Sequence, residues 1–164
     1  MRLLLWAFLL ASVLHMVEEF FYPGGFMRVI VRLRPEYAPF FTIPALILLN
    51  GLQLALCLIA IVLPGASLVF CMSIAALLLI NGIVHIATAI LLRGYAPGVI
   101  TAVALYLPIA LSGFAVAIQA HHLSKSALLE SLTLGAVYQL VPLAYVRTMF
   151  LVRSRRLNRS FHAG

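Results

Sequence analysis

Acidic residues are scarce in this chain: there are four, against eleven lysines and arginines. Charge of either sign is scarce as well. Charged residues make up 9% of the chain, where a soluble domain carries about 25%. Cysteine is limited to Cys57 and Cys71, both inside apolar runs, with no disulfide or zinc-finger spacing. No serine or cysteine stands in a nucleophile motif, and there is no Walker loop or dinucleotide fingerprint. Internal repeats and low-complexity tracts are missing too. These absences exclude a disulfide scaffold, a nucleotide-binding enzyme of the usual kinds and a water-soluble domain.

What is abundant is apolar. Hydrophobic residues make up 65% of the chain, and its mean hydropathy is +1.15. A hydrocarbon core needs roughly 20 apolar residues per helix. Five runs meet that length, at about 3–21, 40–63, 68–92, 98–119 and 127–152. The expected fold class is all-α: a polytopic membrane bundle of five transmembrane helices. It forms one domain over 1–152, followed by a basic tail at 153–164. The first run begins with Arg2 like a signal peptide. It then continues through His15 and Glu18 without a small-x-small cleavage site, so it reads as a retained helix.

The net charge of +7 does not point to nucleic acid, because basic flanks on such a protein set its orientation. Arg28, Arg32, Arg34, Arg93, Arg153, Arg155, Arg156 and Arg159 fall on one side, and Arg2 and Lys125 on the other. The expected amino terminus is outside and the carboxyl terminus cytoplasmic, most simply in a bacterial cytoplasmic membrane. The bilayer is then the main partner, and a homodimer is compatible with the small size. The segment FMRVIVRLRPEYAP alternates apolar and basic residues, as an amphipathic segment at the interface does.

Against that background HMVEE is anomalous. A charged side chain at a helix centre costs roughly 2.5–3.5 kcal/mol, so intramembrane His and Glu face the bundle interior and mark function. At 3.6 residues per turn Glu18 lies about 60° from His15 and Glu19 about 40° on its other side. All three share one arc. In the third run, NGIVH puts Asn81 and His85 four apart on one face. At 1.5 Å per residue His85 lies roughly 10 Å before the end of its helix and His15 roughly 9 Å before the end of its own. Both helices run in the same direction, so the two histidines share one depth on the cytoplasmic side.

The next segment, RGYAPGVIT, brings Arg93, Tyr95 and Thr101 into the fourth run. Pro97 suits a first helical turn, and the amides that follow suit an anion. Pro108 and Gly113 predict a kink in this run. Asn50 and Gln53 read as hydrogen-bonders between helices, and Tyr138 and Gln139 as candidates to line the same space.

His15-x-x-Glu18-Glu19, Asn81-x-x-x-His85 and Tyr95-x-Pro97-Gly98, in that order, resemble the motifs of the HXXEE family of small integral membrane proteins. The resemblance spans most of the chain. It implies an architecture and a site but no reaction.

Imidazole and carboxylate are ligands for zinc, iron or manganese, so His15, Glu18, Glu19 and His85 are the candidate divalent-metal set. Glu18, Glu19, Asn81 and Tyr95 are the candidate catalytic residues, the last two orienting substrate or a bound water. Without metal, the same groups suit histidine–carboxylate acid/base work. The expected function is an intramembrane enzyme, of hydrolase or isomerase type, acting on a lipid-like or other hydrophobic molecule. The alternatives are a proton- or cation-coupled transporter and a structural or accessory membrane subunit.

Overall fold

The computed structural model describes residues 2–21, 25–33, 35–37 and 43–161. Residues 22–24, Arg34 and Pro39, read from the sequence as helix stop, basic flank and loop, lie outside the described residues. So do the side chains of Arg153, Arg155, Arg156 and Arg159. Among the described residues every element is helical. The α-helices are α1 (Arg2–Phe21), α2 (Gly25–Leu33), α3 (Ile43–Val62), α4 (Leu68–Leu92), α5 (Val99–Gln119) and α6 (Lys125–Phe161), with a 3₁₀ turn at Pro35–Tyr37. Three of them, α1, α4 and α5, are long and apolar enough to cross a membrane. In α3 the apolar stretch Asn50–Val62 is shorter.

Helix α4 is central and packs against α1, α3, α5 and, most extensively, α6. Its first half, Cys71 to Leu78, is buried throughout. Its start is fixed by Ser67, whose hydroxyl accepts from the Phe70 amide at 3.1 Å. Its end is fixed by Arg93 in the left-handed conformation at φ 52°, with the amide of Gly94 returning to Ala89 O at 3.1 Å. That reversal folds Ala96, Pro97 and Gly98 back into the interior, where all three are buried.

The α4–α6 contact is made by close approach at small residues. A Cβ on Gly135 would stand 2.5 Å from Ala76 Cβ and 2.7 Å from the Leu77 amide nitrogen. The outward surface is broadly apolar: Leu3, Phe21, Ile90, Leu91 and Val116 are all exposed. A water-facing surface rarely carries such patches.

The amphipathic segment contains a helix, α2, with Val29 buried and Arg28 and Arg32 exposed. The helix of the last apolar run continues beyond 152, as α6, to Phe161 over 37 residues. In the fourth run, where Pro108 and Gly113 predict a kink, there is a π-helical turn at Ala102–Tyr106, two residues before Pro108. Proline offers no amide to its preceding turn, and single π turns cluster at functional sites.

Candidate functional site

The buried face of α1 is Leu5, Phe8, Ala11, Ser12, His15, Glu18 and Glu19. That is the three-and-four spacing of one helical stripe, apolar at its start and ionisable at its end. His15, Glu18 and Glu19 therefore point into the bundle, as their common arc predicts. His85 on α4 comes to the same place. Its Nε2 lies 3.2 Å from His15 Nε2, with the rings edge to face at 81°. The depth match read from the two helix ends is a direct contact.

Glu18 turns toward α5. Its Oε1 accepts from the Tyr95 hydroxyl at 2.9 Å and the Ile100 amide at 3.0 Å. Its Oε2 accepts from the Thr101 amide at 2.7 Å and the Thr101 hydroxyl at 2.5 Å. The first amides of a helix have no partner within it and carry the positive end of its dipole. Gly98, the residue preceding α5, offers no capping side chain. A carboxylate from α1 caps the helix instead. The anion expected at the YAPG turn is thus this chain's own Glu18.

Four donors converge on Glu18, as they do on a carboxylate. The Thr101 hydroxyl oxygen also lies 2.8 Å from His15 Nδ1 and 3.2 Å from the Gly98 carbonyl oxygen. His85 Nδ1 faces the Pro97 carbonyl at 2.7 Å. A carbonyl only accepts, so this nitrogen carries the hydrogen. The two Nε2 atoms face each other at hydrogen-bond distance, and which one donates depends on the tautomer of each ring.

The surrounding residues hold this geometry. Tyr106, in the π turn, stacks on His15 with ring centroids 4.3 Å apart. Gln53 on α3 donates to Ser12 Oγ at 2.7 Å and to Tyr106 Oη at 2.5 Å, the interhelical role expected of it. Gly98 has φ +90°, and a Cβ there would stand 2.6 Å from His85 Nδ1 and 2.7 Å from His15 Cε1. Only glycine lets the turn lie against both rings.

Glu19 and Asn81 lie apart from this centre. Glu19 is buried and pairs with the Asn50 side chain. Asn81 donates to Gln139 Oε1 on α6 at 3.4 Å, and among the described residues its own buried Oδ1 has no hydrogen-bond partner. The candidate set His15, Glu18, Glu19 and His85 does not surround a single point. Among the described residues no three His, Cys, Asp or Glu side chains gather to hold a metal ion. Glu18 is committed to α5, and Glu19 to α3.

A protein-family model described as "Protein of unknown function with HXXEE motif" matches residues 6–112. The chain belongs to the HXXEE family. No curated protein and no solved structure matches it. In this HXXEE protein the two glutamates of the motif have separate tasks: the first caps α5, and the second meets α3. Thr101, Tyr106 and Gln53 were not among the candidate site residues. Gln53 reads as a hydrogen-bonder between helices and Thr101 as part of the RGYAPGVIT segment, but their link to His15, and the whole role of Tyr106, come from the approach of α5 and α3 to α1.

Proposed function

We propose that this HXXEE protein is an integral membrane enzyme acting on a lipid-like or otherwise hydrophobic substrate, with the His15–His85 pair as its acid/base centre. The observation that carries the reading is the facing pair of Nε2 atoms, coupled through Thr101 to Glu18. A histidine pair coupled to a carboxylate can deliver a proton to, or withdraw one from, a substrate oxygen. The pair is buried and joined through Thr101 to a carboxylate, so a proton taken up by one ring can be passed along the chain. The buried Asn81 Oδ1, without a partner among the described residues and one helical turn from His85, suits a substrate hydroxyl or amide.

In this reading α1, α3, α4, α5 and the first part of α6 are the five spans. The basic residues of α2, Arg93 and the end of α6 lie on the cytoplasmic side of a bacterial cytoplasmic membrane. The centre then lies near that face. A proton- or cation-coupled carrier is the second reading, because His85, His15, Thr101 and Glu18 also form a continuous proton path.

The test is chemical. Purified protein is incubated with a total membrane-lipid extract, and the products are read by mass spectrometry beside His85→Ala. The expected result is a species consumed or formed by wild type alone. Identical profiles, together with proton flux into liposomes that only wild type supports, would establish the carrier instead.

A further inference from the structure

We propose that the arginine-bearing end of the bundle, with Arg28 and Arg32 of α2 at its centre, is a docking surface for the phosphate headgroups of anionic membrane lipids, and that it makes such lipids the substrate class. The substrate clause rests on the enzyme reading above; the binding does not.

The first observation is where the arginines stand. On α2, Gly25 and Val29 are buried, while Arg28 and Arg32 are exposed. Side chains four residues apart on a helix are neighbours, with about 5–6 Å between Cβ atoms. The two arginines therefore form one stripe beside the buried one. Gly25 has φ +63°, and a Cβ there would stand 3.2 Å from Phe20 O and 3.6 Å from Glu19 O. That close approach seats the start of α2 on the last turn of α1, beside Glu18. Arg93 is exposed at the end of α4, two residues before Tyr95, whose hydroxyl donates to Glu18. All three arginines are thus at the end of the bundle that holds the Glu18 centre.

The second observation is charge. Among the described residues no carboxylate pairs with any of the three. Glu18 and Glu19 are buried. Glu130 is at the opposite end, since its neighbour Ser131 bonds Val69 O at the start of α4. The anion that balances these arginines comes from outside the chain. A guanidinium matches a phosphate with two parallel N–H donors.

The third observation decides which anion. Phe21 at the end of α1 and Ile90 and Leu91 near the end of α4 are 84%, 70% and 75% exposed, and both helices are long and apolar enough to cross a membrane. An apolar collar bordered by arginines matches hydrocarbon bordered by headgroups. A nucleic acid would meet the arginines and leave the collar in water, whereas a lipid covers both. A basic amphipathic helix at such a boundary attracts anionic lipid. In the enzyme reading the surface concentrates phosphate-bearing lipids beside the His15–His85 pair.

The experiment titrates the purified full chain in detergent with phosphatidylglycerol and, separately, with phosphatidylcholine, and counts bound lipid by native mass spectrometry. An arginine near an anionic surface is worth about fivefold in affinity. Wild type is expected to prefer phosphatidylglycerol by about tenfold or more, and the preference is expected to shrink as salt is raised. Arg28→Gln/Arg32→Gln is expected to lose about 10–30-fold for phosphatidylglycerol and nothing for phosphatidylcholine. Arg2→Gln, at the exposed start of α1, is the control and is expected to change neither.

Equal binding of the two lipids by wild type, an unchanged preference in the double variant, or the same loss in Arg2→Gln would overturn the inference. So would displacement of phosphatidylglycerol by an RNA oligonucleotide, which would assign the surface to nucleic acid. If the double variant does not fold, wild type decides through salt: a preference undiminished at about 1 M salt, where charges are screened within about 3 Å, overturns the surface. Preferred phosphatidylglycerol binding with no lipid converted leaves the surface and removes the enzyme. Lipid conversion with no anionic preference removes the surface and leaves the enzyme.

Discussion

Glu18 and Glu19 are adjacent and chemically identical, yet the fold gives them different work. Glu18 takes four hydrogen bonds, two of them from amides that start α5. Replacing it by glutamine puts an NH₂ against donors, and an unsatisfied buried donor costs about 1–3 kcal/mol. Glu18→Gln is therefore expected to lose about 2–3 kcal/mol of stability. Glu19→Gln keeps an amide able to pair with Asn50 and is expected to change stability by less than about 1 kcal/mol. Unfolding of both variants in detergent checks this, and equal losses would contradict the capping role. The sequence marked both glutamates as anomalous but offered nothing to separate them. Their roles depend on which neighbouring helix each one meets, and spacing within α1 does not encode that.

At the scale of elements, α1, α4 and α5 were legible because each is a long apolar run with clear punctuation. The ends of α4 fall where Ser67 and the Arg93–Gly94 reversal place them. The π turn in α5 was legible only as a disturbance near Pro108, since a single inserted residue leaves no periodic trace. The far end of α6 was illegible for a different reason. Residues 153–161 are polar and basic, so hydropathy ends the run while the backbone continues as a helix.

The α4–α6 contact makes a prediction at this scale. Gly135 lies against the backbone of Ala76 and Leu77, whereas Gly51 on α3 has nothing within 4 Å of where a Cβ would be. Gly135→Leu is expected to destabilise by about 1–3 kcal/mol through overpacking. Gly51→Leu is expected to be neutral or slightly stabilising, because glycine is a poor helix former. Thermal unfolding of the two variants compares them directly. It would also show whether α6 is held by close backbone approach.

Across the whole molecule, helices distant in sequence complete one centre. His15 and Glu18 come from α1, His85 from α4, and the Pro97 carbonyl and Thr101 from the turn and start of α5. The sequence could place His15 and His85 at one depth because both helices descend in the same direction. It could not show that they touch, because that depends on how α1 rotates against α4. Thr101 and Gly98 stand out as parts of the RGYAPGVIT segment, but their contacts with the two rings were hidden, since these depend on how the turn packs against α1 and α4.

The central claim is that the two histidines act as a single unit. It is tested most directly by the lipid-extract conversion measured for His15→Ala, His85→Ala and the double variant. Residues that act together lose most of their effect at the first removal. Each single change is expected to reduce conversion by at least about 100-fold, and the double variant is expected to fall no further. A double variant that loses the product of the two single effects would contradict the account, as would a single variant that converts as well as wild type.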